Sequence, residues 1–348
     1  MPFRGGVTGM RRALLACAAV AVVAAPAQAD TLRGALANAY NTNPTLLAAR
    51  ADLRATDENV PIQKSAGLPD IGAQGQYAET LKVSENSFSA PDRIFRTNVE
   101  LNVPIYSGGA VKNSILAAKQ RVQAGRADLR ATEASVFSQV VAAYMDVIRD
   151  EAVVGLNLQN VDALSVNLEA TGDRFEIGDV TRTDVAQSES RLAIARSDLT
   201  TAQANLIGSR ERYVQLVGEA PTALEAPPPL PGLPDDPQTA VAIALESNPD
   251  LLAARERVQA ARYEIEVAGS GRLPRVSLFT AGDYTDYLGT LGDGIIGADF
   301  AQRETSAQAG ARFSIPIFQG GLPAAQERQA EQRGHAAGRP RFSRHQLC

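Results

Sequence analysis

NTNPTLLAAR occupies residues 41–50, and ESNPDLLAAR occupies residues 246–255. The decamers share Asn-Pro, then Leu-Leu-Ala-Ala-Arg, in one frame at an offset of 205. Leu68-Pro69 returns as Leu273-Pro274 at that same offset. NVPIYSGG (102–109) returns as SIPIFQGG (314–321), now at an offset of 212, so seven residues have entered between the second and third landmarks. Self-similarity over such a length marks a duplicated supersecondary unit, and it decides the fold before any single residue does.

Working outward, residues 31–66 read as helix with a break at Asn43-Pro44, because proline suits the first turn of a new helix. From Pro69 the period becomes two. Ile71, Ala73, Tyr77, Leu81 and Val83 fall on one face, opposite Gln74, Gln76, Thr80 and Lys82. After a polar loop, Phe95, Val99, Leu101, Val103 and Ile105 alternate with Arg96, Asn98, Glu100 and Asn102. The second copy places Val276, Leu278, Thr280 and Tyr284 against Arg275 and Ser277, with Phe279 and Ala281 blurring its polar face. On the return strand Ala311, Phe313, Ile315 and Ile317 oppose Gln308, Arg312 and Ser314. Arms of roughly ten residues with this alternation suit membrane β-barrel strands. The expected lumen-facing set is Gln74, Gln76, Lys82, Arg96, Asn98, Glu100, Gln308 and Arg312, and the strand-to-helix exits are Pro104, Gly108, Gly109, Pro316, Gly320 and Gly321. Four strands cannot close a barrel, since roughly eight is the smallest working number. Open edges in lipid are costly, so the barrel must be shared among subunits, most simply with cyclic symmetry.

The N-terminus sets the compartment. Residues 1–29 carry three arginines, two of them (Arg11 and Arg12) directly before an apolar run from Ala13 to Ala25, then Pro26 and an Ala-Gln-Ala site, the pattern of a secretory signal. Cys17 stands at the start of the apolar run, not after it, which disfavours a lipoprotein cleavage site. The formal charge of −5 becomes −8 once the signal's Arg4, Arg11 and Arg12 are removed, which argues against nucleic-acid binding. No second run is long and apolar enough for a spanning helix. Between Asp30 and Gly334 there is neither His nor Cys. Disulfides, thiol nucleophiles and imidazole bases are thereby removed together, and neither an enzyme nor a cofactor is expected.

Between the strand pairs, Val140, Val147, Val154, Val161 and Leu168 recur every seven residues, as do Leu192, Leu199, Leu206 and Tyr213. Ala195, Ala202 and Ser209 are interleaved, as in closely packed coiled-coil arms. The return arm stops near Gly218, so other helical pieces must complete the layer. At the turn, Gly178 can take a positive φ, and Thr181 with Asp184 forms a capping-box pattern. A proline-rich stretch, APPPLPGLPDDP (226–237), then separates the copies.

The ordered set of signal, NP-headed helix, LP-headed strand, P-I-aromatic-x-G-G exit, long coil, R-F-x-x-G-x-x-x-x-x-D-V tip, Pro-linker and second copy resembles the TolC-like outer-membrane efflux family. The likeness covers Asp30 to about Arg333. It implies an α+β membrane protein. Outer-membrane β-barrel strands would be shared by a homotrimer, over a long antiparallel α-helical coiled-coil periplasmic barrel built from an internal duplication. It implies a passive exit duct for type I protein secretion or RND-type efflux in the Gram-negative outer membrane and periplasm. Its implied partners are outer-membrane lipid, a periplasmic adaptor and an inner-membrane ABC or RND transporter. Carried over by position, the adaptor-contact tip would be Arg174, Phe175, Gly178, Thr181 and Asp184.

The implied division is a signal at 1–29, a first repeat at 30–220, a linker at 221–237 and an incomplete second repeat at 238–333. Within the first repeat come helices 31–66, a β-hairpin 69–106 and a helical hairpin 110–218. Within the second come helices 238–272 and a β-hairpin 273–318. The departure lies in residues 334–348, rich in Arg and holding every late His and Cys, which read as frame-shifted or foreign sequence. The second helical hairpin is missing, and such a chain is not expected to work as a channel by itself. A rival without a barrel is a periplasmic coiled-coil adaptor or stalk. GDGIIG (292–297) fits a dinucleotide fingerprint but lacks a following helical stripe, so it reads as a loop tip. Asp283, Asp286 and Asp293 read as solvated loop carboxylates.

Overall fold

The computed structural model describes residues 31–82, 91–229, 232–234, 236–292 and 300–337. The signal at 1–29, Val83, Asp293 to Gly297 and the tail from 338 lie outside the described residues. Three helices lead: α1 (Leu32–Thr42), α2 (Pro44–Asp57) and α3 (Asn59–Ser65). The α1/α2 break falls at Asn43-Pro44 as expected. A second break, before Asn59, was not expected; Pro61 has no N–H to bond back to Asp57, so the helix restarts there.

The chain then forms β1 (Asp70–Glu79) and β2 (Arg93–Tyr106), the helices α4 (Ala110–Glu176) and α5 (Arg182–Val217), and α6 (Pro237–Ser247) and α7 (Pro249–Gly269). It ends in β3 (Arg275–Asp286), β4 (Arg303–Ser314) and α8 (Leu322–Ala337). The linker is shorter than the 221–237 expected, since Pro237 already sits in the first turn of α6, capped by Asp236. Helix α8 runs past residue 334 to Ala337 without a break.

All four strands form one antiparallel sheet in the order β1-β2-β3-β4. Helix α4 has 67 residues and so extends about 100 Å. It is too long for α5 alone to cover. Helix α5 lies antiparallel on its far part, where Ser209 donates to Asp150 at 2.8 Å and Arg210 meets Glu151 at 2.8 Å. Helix α7 covers the part nearer the sheet, where Arg257 grips Asp128 at 2.6 Å and Arg121 pairs with Glu264. The short return arm is thus completed by another helix, as its length required.

A hydrophobic core sits where α1 meets these arms. Ala35, Ala39 and Leu46 pack with Val136, Val140, Ala143, Tyr144 and Val147 of α4 and with Tyr213 and Val217 of α5. Alanines on α1 and α4 let the backbones approach, and the tyrosines fill what remains. The Tyr144 hydroxyl donates to Glu225 O at 2.6 Å, fixing the start of the proline-rich stretch against the same core.

Asn43 ties this corner together. Its Oδ1 accepts the Thr45 N–H at 3.0 Å, capping α2, while its Nδ2 donates to Leu216 O at 3.1 Å, closing the end of α5. Thr42 adds a bond from its hydroxyl to Val217 O at 3.1 Å, and Gly218 leaves the helix at φ 89°. Asn248, its counterpart in the second half, caps α7 through the Asp250 N–H at 2.8 Å but is exposed. Replacing a capping Asn by Ala typically costs ~1 kcal/mol, and a lost buried bond adds roughly 1–3 kcal/mol. Asn43→Ala should therefore destabilise the chain about twofold or more beyond Asn248→Ala, as read by chemical unfolding in detergent; equal losses would show that the bond to Leu216 contributes nothing.

Candidate functional site

Two regions bring together the residues singled out in the sequence. The first is the polar face of the sheet. The register sets Gln74 opposite Asn98 and Asp283 opposite both Asn98 and Ser306. It sets Gln76 opposite Arg96, and Ala281 opposite both Glu100 and Gln308. Since directly paired residues share a face, Gln74, Gln76, Arg96, Asn98, Glu100, Gln308 and Arg312 all lie on one side. Lys82 does not join them: β1 ends at Glu79, three residues short of it. Strand β4 likewise ends at Ser314, so Ile315, Pro316 and Ile317 lie beyond the ladder. In the first hairpin the corresponding stretch stays in the sheet through a bulge between Pro104 and Tyr106, held by Tyr106 against Val276.

Asp283 and Asp286 are strand residues, not loop carboxylates as expected. Asn98 Nδ2 donates to Asp283 at 2.7 Å and Ser306 donates to it at 3.3 Å, so the polar face is cross-linked over three strands. Arg312 lies 3.6 Å from Glu100 and 5.0 Å from the Phe279 ring centroid, which accounts for an aromatic side chain on this side. The opposite face carries Ile71, Tyr77, Phe95, Val99, Leu278 and Phe313, all exposed.

Both glycine pairs at the strand exits take positive φ: Gly108 at 65°, Gly109 at 83°, Gly320 at 59° and Gly321 at 81°. At Gly108 space decides as well as conformation. A Cβ there would sit 2.8 Å from Leu273 Cβ, so the end of the first hairpin presses on the Leu-Pro that begins the second.

The second region is the far turn between α4 and α5. Gly178 adopts φ 82°, and its N–H and that of Asp179 return to Phe175 O and Arg174 O, each at 2.9 Å. Arg174 Nε donates to Asp179 at 2.7 Å. The expected capping box is formed: Asp184 accepts the Thr181 N–H at 2.8 Å and the Thr181 hydroxyl at 2.7 Å. The polar tip residues are thus committed to shaping the turn. Phe175 and Ile177 remain, 43% and 81% exposed. Ile177 was missed in the sequence; an apolar residue followed directly by the turn glycine was the available signal.

Among the described residues no group of His, Cys, Asp or Glu is placed to hold a metal ion, and no helix is long and apolar enough to cross a membrane. Of the GDGIIG stretch only Gly292 is described. It follows β3, and the next described element is β4, not the helix a dinucleotide fingerprint requires.

The fold has counterparts among known proteins. Residues 35–219 and 240–346 match the family model described as outer membrane efflux protein. The chain belongs to that family. It is 36% identical over 317 residues to outer membrane efflux protein BepC of Brucella suis, covering 89% of this chain and 66% of BepC. To outer membrane protein TolC of Escherichia coli it is 26% identical, over 87% of this chain and 62% of TolC. The chain therefore spans slightly less than two thirds of either relative. The crystal structure of outer membrane protein VceC from Vibrio cholerae superposes with a TM-score of 0.70 at 22% identity, over 88% of this chain and 73% of that one.

The capping bonds give the tip a pH signature. Hydrogen bonds from the Thr181 side chain and then its backbone hold the Asp184 carboxyl below its ordinary value, with Arg174 contributing less. A depressed folded-state pKa adds stability that is present above the unfolded value and lost as pH falls through the folded one. The Thr181 amide resonance should titrate with a midpoint below the usual aspartate value of about 3.9. Asp184→Asn should abolish that titration, whereas a midpoint at the ordinary value would mean the bonds are not held in solution.

Proposed function

We propose that the chain builds part of an outer-membrane exit duct of a tripartite export system, serving type I protein secretion or RND-type efflux. Membership of the outer membrane efflux family places it at the Gram-negative outer membrane and favours the duct over a periplasmic adaptor or stalk. One observation carries the reading: a four-stranded sheet with an exposed apolar face, a cross-linked polar face and two free edges. Such a sheet is stable in lipid when edges of neighbouring copies pair and close it. Three copies would give a twelve-stranded barrel, with Gln74, Gln76, Arg96, Asn98, Glu100, Gln308 and Arg312 lining water. The internal duplication accounts for two hairpins per copy, each leaving through a glycine pair into a helix. The duct is passive and is energised by an inner-membrane ABC or RND transporter.

The α4–α5 tip is the adaptor contact in this reading. Arg174, Thr181, Asp184 and Gly178 shape the turn, and Phe175 and Ile177 present its apolar surface. A charge pair this exposed contributes about 0–1 kcal/mol, whereas burying an isoleucine contributes roughly 1.5–3 kcal/mol. Ile177→Asp should cut cross-linking to the adaptor about tenfold or more, while the exchange Arg174→Asp with Asp179→Arg should largely preserve it. Loss with the exchange but not with Ile177→Asp would assign recognition to the charges instead.

Fractionation tests the whole reading. The chain should stay with outer membranes through alkaline carbonate washing and require detergent for release. Recovery as a water-soluble periplasmic monomer would end it.

A further inference from the structure

At the end of the sheet away from the helices, the residues that follow β3, Tyr287 to Gly292, fold back in an unusually determined way. Leu288 takes φ 52°, a left-handed conformation that residues with a side chain rarely adopt, and Gly289 follows at 77°. Strain of this kind persists only where the surroundings over-determine it. Here they do. The Asp286 carboxylate accepts the Leu288 N–H at 2.9 Å, the Tyr284 hydroxyl at 3.1 Å and Arg303 Nε at 3.0 Å. Gln302 bonds both main-chain groups of Leu291, at 3.2 and 3.0 Å. The Phe300 ring lies on Gly292 so closely that a Cβ there would stand 2.3 Å from Cδ2.

The product of this folding is the position of Thr290, which is 6% exposed. Its hydroxyl oxygen accepts the Arg93 N–H at 3.0 Å, and its proton lies within reach of Arg93 O at 3.1 Å and Tyr287 O at 2.7 Å. Arg93 is the first residue of β2, and the β2–β3 ladder ends at Phe95 opposite Asp286. Beyond that pair, β2 would show unpaired main-chain groups to its neighbour. One threonine side chain from the second hairpin meets both of them, accepting from the N–H and sharing its single proton between Arg93 O and Tyr287 O.

We propose that Thr290 is a clasp: a side-chain rung that fastens the segment from Tyr287 to Gly292 to the first hairpin and makes it a fixed part of the sheet's far rim. Resting on the duct reading, that rim is the outer mouth of the pore, and the clasp holds the two hairpins of one copy together there. The strained Leu288 delivers Thr290 to the rung, and the Asp286 cluster holds Leu288 there.

Hydrogen exchange on the detergent-solubilised chain tests the clasp. The Arg93 amide should be protected in the parent although β3 has already ended. It should exchange at least about tenfold faster in Thr290→Val, which keeps the shape and removes the hydroxyl, and regain protection in Thr290→Ser. Thr97 and Val99 amides should be unchanged. An Arg93 amide that exchanges as freely in the parent as in Thr290→Val overturns the clasp. A parent that protects Arg93 yet is released from outer membranes by alkaline carbonate overturns the duct reading and leaves the clasp standing.

Discussion

Two free strand edges govern the rest of this molecule. Among the described residues, strands β1 and β4 close neither on each other nor on a helix, and the apolar side of the sheet they bound is bare. In water such a surface would aggregate, and in lipid each unpaired main-chain group costs several kcal/mol. The strand order follows the chain order, so the edges are unlike: copies that keep their helices on one side of the membrane must pair β4 of one with β1 of the next. Contacts of that head-to-tail kind either close into a ring or run on as a fibre. Strand twist and the glycine exits, which turn both hairpins into helices on the same side, favour closure in the reading proposed above.

The repeated decamer shows what sequence repetition can and cannot encode. Both copies make the same cap, an Asn side chain at the start of a helix with Pro in the first turn. That much is local and follows from the letters. Burial is not local. Asn43 is buried because α1 has the α4–α5 pair to lie on, and the alanines and tyrosines of that crossing accept it. Helix α6 holds the equivalent place with Val241, Ile243 and Leu245 exposed, because among the described residues it meets little beyond α7. The same motif is therefore a strut in one half and only a cap in the other.

Much of the architecture was legible because it rests on periodicity and caps: the Asn-Pro breaks, the alternating strands, the heptad seam, the glycine pairs and the Thr181–Asp184 box. What escaped depends on partners distant in sequence. The alternation through Lys82 and Val83 predicted a longer β1, but a strand extends only as far as its neighbour pairs, and β2 begins at Arg93. Asp283 looked like a solvated loop carboxylate because its ligands, Asn98 and Ser306, sit on two other strands. Asp150 and Ser209 stand in an otherwise apolar and small-residue seam, where a satisfied polar pair fixes how two helices align; no spacing rule in one helix announces it. Thr290 was invisible for the same reason.

The far turn illustrates how charge can mislead a reading made from letters alone. Arg174, Asp179 and Asp184 dominate the stretch in sequence, and charged residues at an exposed tip invite assignment to a partner. Their geometry spends them inwardly: Arg174 braces Asp179 across the turn, and Asp184 holds Thr181, the residue that caps α5. Water already solvates such groups well, so exchanging it for a partner's charge gains little. Ile177 has no comparable use within the turn, and its exposure costs free energy until something apolar covers it. A rigid polar frame presenting one uncovered aliphatic side chain is a surface that discriminates by shape, since a partner must bring a hollow of the right size to the only place where the frame sets it.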